Sequence, residues 1–380
     1  MQMLSTIGRR VIAGVAITVT SALAMTACAG TPAAGPSSAS GVKAATATSL
    51  ADFGTKAQLE AAAKAEGALN VIALPRDWAN YGEILDLFAK TYPEIKINEQ
   101  SPDASSAEEI QAAKTNAGLD TAPDVFDLGL TVTRQNTAMF APYKVAAWDE
   151  IPANLKDDSG LYTGDYGGYM SIGYDSAKYP APAGLNDLLG SQYKGAVALN
   201  GDPTQAGAAF AAVGLATVQN GGTLDDFTPG IDFFGKLKSA GNLLKVDVTS
   251  ATVKSGETPV VFDWDYLNAA HTKDKASWKV TILPGTGYAA YYNQAINKDA
   301  AHPAAARLWE EFLYSDQVQN LWLKGGARPV RMEAMTKAGT IDKTLAAALP
   351  AAPEKSVVPT AAQSDAAGKL LGDKWAAAVQ

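Results

Sequence analysis

Residues 258–268, TPVVFDWDYLN, hold the densest set of chemistry-bearing side chains in the chain. Pro259 opens a β-strand that Val260-Val261-Phe262 continue, because β-branched and aromatic side chains suit a pleated, half-buried surface. Asp263, Trp264, Asp265 and Tyr266 follow without a break. Alternation along a strand places Val261, Asp263 and Asp265 on one face while the chain stays extended. Carboxylates crowded at a strand end repel one another unless water, a donor or a cation lies between them. One reading is a solvated strand-to-helix turn with Asp as the helix cap. The other is a strand end that grips a ligand. A carboxylate pair could also serve hydrolysis, but only if Asp263 and Asp265 opposed each other across a substrate.

Other catalytic chemistry finds little support. The sequence contains no HExxH, GxSxG or GxxxxGK[ST] motif and no GxGxxG after a strand. Its two histidines, His271 and His302, have no His or Cys companion nearby, which favours surface or capping roles over metal ligation. The remaining polar and aromatic residues recur at strand ends. Arg76-Asp77-Trp78 and Tyr81 follow a first strand, Asp127 ends a third, and Tyr166 and Tyr169 flank Gly167-Gly168. Thr204 starts a helix, where free backbone N–H groups can hold an anion. Tyr291 and Tyr292 lie in a late strand. In open α/β sheets ligands bind outside the carboxyl ends of strands, so this set outlines a cleft.

The elements that position them follow from hydrophobic period. Strands are predicted over 69–74, 95–98 and 124–129, separated by helices over 82–92 and 106–118. That alternation implies βαβ crossovers and a mainly parallel sheet. The pattern restarts near Gly167-Gly168, with strands over 169–174 and 196–199 and helices over 205–218 and 231–239. Strands over 279–283 and 288–297 precede a helix over 303–315, in which Ala305, Leu308, Trp309, Phe312 and Leu313 share one face. A helix over 316–324 stops at Gly325-Gly326.

The N-terminus and the charge bound the class. Arg9-Arg10 and the apolar run 11–24 form an export signal, too short for a confident membrane span. Met25-Thr26-Ala27-Cys28 resembles a lipobox, which implies acylation of Cys28 and attachment to the outer face of the cell membrane. Cys28 is the single cysteine in 380 residues, so disulfides and cysteine-based metal sites are excluded from the mature chain. Residues 29–51, rich in Ala, Gly, Ser, Thr and Pro, read as a flexible tether. Without Arg9 and Arg10 the chain has 29 basic residues against 39 acidic ones, a net charge near −10 that disfavours nucleic acid as a partner.

LNVIALPRDW, APDVFDLG, LNDLLGSQYKGAVALNGDPTQAGAAF, GETPVVFDWDYLNAA and the segment YYNQAINKDAAHPAAARLWEEFLYSDQVQNLWLKGGARPV carry a resemblance. Over roughly residues 65–335 the chain resembles the two-lobed solute-binding proteins of ABC importers that include ferric-ion, polyamine, thiamine and aminoethylphosphonate binders. The resemblance implies an α/β fold of two lobes, each a mainly parallel sheet flanked by helices, joined by crossover strands and closing by hinge bending over the solute. It implies a permease and an ATPase as partners, a monomeric receptor, and binding with neither catalysis nor a cofactor. One lobe is expected over 52–168 with 267–314, the other over 169–266 with 315–380. Ferric binders of this class carry a Tyr-Tyr pair where this chain has Asp265-Tyr266, which argues against iron. A small organic cation such as a polyamine is the expected solute, with Trp78, Trp264 and Tyr291 as walls and Asp77 and Asp265 as anchors. Asp127, Tyr169, Thr204 and Tyr266 complete the expected site. The Thr204 helix start also suits a phosphonate, and ferric ion or aminoethylphosphonate are the alternatives.

Overall fold

The computed structural model describes residues 44–379, so the export signal, Cys28 and the first part of the expected tether lie outside the described residues. Helices Leu50–Phe53 (α1) and Lys56–Glu66 (α2) lead to strand Ala68–Ile72 (β1). Helix Tyr81–Thr91 (α3), strand Lys96–Gln100 (β2), helix Ser106–Thr115 (α4) and strand Val125–Leu128 (β3) follow. Helix Leu130–Gln135 (α5) and the short strand Phe140–Ala141 (β4) precede the long strand Thr163–Asp175 (β5). Next come Val197–Leu199 (β6), Gly207–Gln219 (α6), Thr228–Ser239 (α7), Ser250–Ser255 (α8), Val260–Trp264 (β7), Asp265–Ala270 (α9) and Trp278–Thr281 (β8). A second long strand, Thr286–Asn297 (β9), leads to Pro303–Leu313 (α10), Asp316–Lys324 (α11), Arg328–Pro329 (β10), Met332–Ala338 (α12) and Lys343–Ala348 (α13). Lys355–Val357 (β11) and Ala361–Val379 (α14) complete the order.

Local chemistry places many of these boundaries. The Thr55 hydroxyl caps α2 by accepting from the Gln58 N–H, and Gly67 ends it at φ 74°, a left-handed conformation that glycine adopts without penalty. Pro303 occupies the first turn of α10, and Ser315 caps α11 through the Val318 N–H.

The two long strands organise the sheet. β5 and β9 run antiparallel, with Thr163 opposite Gln294 and Tyr169 opposite Ala289, and a bulge between Gly164 and Gly167. Beyond that overlap β5 pairs through Met170–Tyr174 with β7, which pairs in parallel with β6. β9 continues the other way and pairs through Asn293–Ile296 with β3. Each long strand therefore has one end in each half of the molecule, which makes them the crossover strands of a two-lobed α/β fold. β1 and β2 are parallel as expected, but the pairings of β5 with β7, β8 and β9 are antiparallel, so the sheet is mixed rather than mainly parallel. The crossovers account for part of this: β5 passes from one half to the other and β9 passes back, so the two run against each other.

Three expectations need correction. Residues 267–281 do not join the first lobe, because β8 pairs with Ile172–Asp175 of β5 and the return crossing is made later, by β9. Residues 315–324 do not join the second. α11 lies on α3, where Asn80 Nδ2 donates to the Leu321 carbonyl and Trp322 packs against the rings of Tyr81 and Tyr166. Residues 44–51 do not behave as tether. Ala44 and Ala47 are buried, and Arg307 of α10 donates to the carbonyls of Ala45 and Ala47 at 3.1 and 2.8 Å.

The last contact explains why α10 is buried all round. Its apolar face enters the core as the spacing predicts, with Phe88 edge-on to both Trp309 and Phe312, which stack on each other. Its outward face carries Arg307 and Glu311, which the sequence pattern would leave in water. The N-terminal segment covers Arg307, and the backbone N–H of Ala146 with the Tyr143 hydroxyl satisfies Glu311.

Candidate functional site

Where β3 leaves the sheet, Gly129 leads into α5; across from it, the turn 202–206 leads into α6 at Gly207. The two backbones touch. A Cβ on Gly129 would lie 3.0 Å from the Gly207 Cα, and one on Gly207 would lie 3.2 Å from the Gly129 Cα. A side chain at either position would press on the facing backbone, so glycine at both suits this approach between the two elements. Beside the contact is a slot of about 500 Å³ of empty space, only about 30 Å³ of it wide enough for the centre of a water molecule. Its aromatic walls include Trp264 and Tyr291. Thr131, Thr204 and Ser364 contribute hydroxyls, and none of the lining residues carries a charge.

Helix geometry supplies donors instead. The first intrahelical acceptor of α6 is the Ala206 carbonyl, taken by the Phe210 N–H, so the N–H groups ahead of Phe210 have no partner within the helix. The entry to α6 is held by Asp202, whose carboxylate accepts from the Thr204 N–H at 2.7 Å and hydroxyl at 2.5 Å. The start of the thirteen-residue α6 thus brings partial positive charge to an uncharged slot.

Of the residues expected to bind ligand, Thr204, Trp264 and Tyr291 line the slot. The others lie elsewhere. Trp78 packs edge-on against Tyr292 at 5.6 Å and donates its indole N–H to the Tyr166 hydroxyl at 2.8 Å. Asp127 is buried; one carboxylate oxygen accepts from Tyr81 and Tyr166 at 3.0 and 2.8 Å, and the other has no partner. Tyr266 is buried with its ring edge-on to Tyr166. The two expected anchors do not converge. Asp77 is exposed and accepts from the Ser250 hydroxyl at 2.6 Å. Asp265 is fully buried, paired with Arg328 at 2.7 Å and bonded to the Tyr169 N–H at 3.0 Å, while the Arg328 guanidinium lies 4.6 Å from the Tyr169 ring centre. Its charge is already spent on a structural partner. Asp263 accepts from Asn200 at 2.9 Å and from the Trp264 N–H at 2.8 Å, so it and Asp265 make separate contacts and do not oppose each other across a gap.

Gly129, Thr131, Gly207 and Ser364 were not among the expected residues. A glycine directly after β3 and the small residues after Thr204 are the available signals for Gly129 and Gly207, and nothing marks Thr131. Ser364 lies in an Ala-rich stretch that carries none.

Behind the slot lies a layer of buried carboxyls. Burial pushes Asp127, Asp165 and Glu109 upward, and in Asp165 the neighbouring Asp127 adds to the effect. Burial raises Asp263 to about 7, against the lowering effect of its bonds to Trp264 and Asn200. A carboxyl raised in the folded state binds more protons folded than unfolded. Its stabilising contribution is full below the unfolded value, near pH 4, and is lost as pH rises toward about 7. The denaturation midpoint is therefore expected to fall between about pH 5 and pH 7.5, and Asp263→Asn to flatten that slope. A midpoint that rises across this range, in urea titrations at both pH values, would contradict the assignment.

A model of the bacterial extracellular solute-binding protein family matches residues 123–348 of the chain. No curated protein sequence matches it. Among solved structures, AfuA from Actinobacillus pleuropneumoniae, with exogenous fructose-6-phosphate bound, is 16% identical with a TM-score of 0.66, over 82% of this chain and 98% of that one. The ferric binding protein from Campylobacter jejuni is 16% identical with a TM-score of 0.60, over 82% and 99%. A putative spermidine/putrescine ABC transporter protein from Listeria monocytogenes is 14% identical with a TM-score of 0.61, over 81% and 98%. At these identities the likeness is one of fold.

Proposed function

Because the chain belongs to the bacterial extracellular solute-binding protein family, we propose that the cleft between its lobes, of which the slot is the narrowed form, opens to capture a small organic oxyanion, such as a phosphonate or a phosphate ester, for an ABC importer. The observation that carries this reading is the lining itself: the start of α6, several hydroxyls and aromatic walls, with no charged side chain. An oxyanion gains from N–H donors and the positive end of a helix dipole. A polyamine needs carboxylates, and the two expected to grip it, Asp77 and Asp265, are engaged with Ser250 and Arg328. Asp265, which stands where ferric binders carry the first tyrosine of their pair, is bonded to Arg328, which weighs against ferric ion. The protein acts outside the cytoplasm, and Cys28 would tether it by acylation to the outer face of the membrane. It would work as a monomer, handing its solute to the permease when the lobes part.

A thermal-shift panel of 2-aminoethylphosphonate, fructose 6-phosphate, putrescine, spermidine and ferric citrate tests the reading. A ligand at roughly a hundred times its Kd stabilises the folded state by about 2.7 kcal/mol, a clear rise in melting temperature. The rise is expected with an oxyanion. A rise with spermidine or ferric citrate alone would replace this solute class with the cation or the metal.

A further inference from the structure

The family match ends at residue 348, yet the chain beyond it is built into the molecule. β11 pairs in parallel with the start of β9, with Lys355 opposite Thr286 and Val357 opposite Tyr288. α14 then lies against an element of each lobe. On one side Trp375 meets Phe234 of α7 with ring centres 5.5 Å apart, and Gln363 donates to Asp225 at 2.9 Å. On the other, Gly368 sits so close to α5 that a Cβ would come within 3.2 Å of both Thr131 and Gln135 side-chain atoms. This path brings Pro359 and Ser364 to the slot.

Ser364 is wholly buried, and its hydroxyl has no hydrogen-bond partner among the described residues. A serine in a helix can return its hydroxyl to the carbonyl four residues back. Here the Thr360 carbonyl takes the Ser364 backbone N–H, at 2.9 Å, and the hydroxyl makes no such bond. Burying a hydroxyl unpaired is unfavourable, and native proteins leave few such groups without a reason. Ser364 is among the residues that line the slot.

We infer that Ser364 is a solute-contacting residue, carried into the slot by the C-terminal strap β11–α14, and that its hydroxyl donates a hydrogen bond to an oxygen of the bound solute. The inference rests on the reading of the slot as the solute site. It makes the tail beyond the family match a determinant of specificity.

Calorimetric titration of the full chain with 2-aminoethylphosphonate and with fructose 6-phosphate tests it, on the wild type and on Ser364→Ala, Tyr291→Ala and Lys369→Ala. Ser364→Ala is expected to weaken binding by about tenfold or more, and Lys369→Ala, on the exposed face of α14, by less than about twofold. The unliganded Ser364→Ala protein should melt at the wild-type temperature or above it, since no protein hydrogen bond is lost. A lower melting temperature with unchanged affinity would make the residue structural and overturn the inference. If Tyr291→Ala loses binding while Ser364→Ala keeps it, Ser364 is excluded and the slot stands. If neither probe binds the wild type, both readings fall.

Discussion

Gly207→Val is expected to cut solute affinity by on the order of 10- to 100-fold while leaving the unliganded protein folded. Gly207 is the first residue of α6, and even a Cβ there would come 3.2 Å from the Gly129 Cα and 3.4 Å from the Tyr292 hydroxyl. The two γ-methyl groups of valine reach further and cannot share that space with the closed lobes. Overpacking of this kind costs about 1–3 kcal/mol, and each 1.4 kcal/mol is roughly tenfold in affinity. On the proposal that the lobes part to release solute, the cost falls on the closed state alone, because such opening would separate α6 from Gly129. Calorimetry reads the affinity, and small-angle scattering shows whether ligand still compacts the variant. Wild-type affinity with full compaction would mean that the Gly129–Gly207 approach is no part of closure.

Arg328→Ala should damage the fold more than any other single charge removal beside the crossover strands. Arg328 and Asp265 are 12% and 0% exposed at the side chain and 2.7 Å apart, and Arg328 also donates to the Pro350 carbonyl at 2.8 Å. Removing the guanidinium strands a carboxyl that burial already pushes upward, and a second bond, from the Tyr169 N–H, holds it in place. Breaking a buried pair from one side costs about 3–5 kcal/mol. For a chain of this size that is a fall in melting temperature of roughly 4–7 °C. The double variant Arg328→Met with Asp265→Asn keeps an acceptor for Tyr169 and removes both charges, so it should recover most of the loss. If the single variant melts within about two degrees of the wild type, the pair contributes little.

The buried pair also explains a failure of inference from sequence. Trp264 reaches the slot from the end of β7, where residues leave the sheet, whereas Tyr291 reaches it from the middle of the crossover strand β9. Asp265 sits at the same strand end and looked like an anchor. Its partner lies 63 residues away in β10, and no local pattern announces that a carboxylate has been neutralised by so distant a side chain. Asp77 was misplaced for a related reason, since its contact with Ser250 spans 173 residues.

Period and composition were sufficient for most elements, because a strand or helix must turn its apolar side chains to one face whatever lies opposite. The strands β1 and β3 and the helices α3, α6 and α10 all lie within a few residues of where the pattern puts them. Which way the strands pair was not readable: two long crossovers lie antiparallel in a chain whose strand–helix alternation implied parallel neighbours. The slot itself depends on distances between segments far apart in the chain. Gly129 and Gly207 are ordinary glycines until folding presses them together, and Ser364 is an ordinary serine until α14 seals it beside them. Side-chain period is a property of consecutive residues and can be read along a line. Contact between remote backbones, and the pairing or stranding of a buried polar group, exist only once the chain has closed in three dimensions.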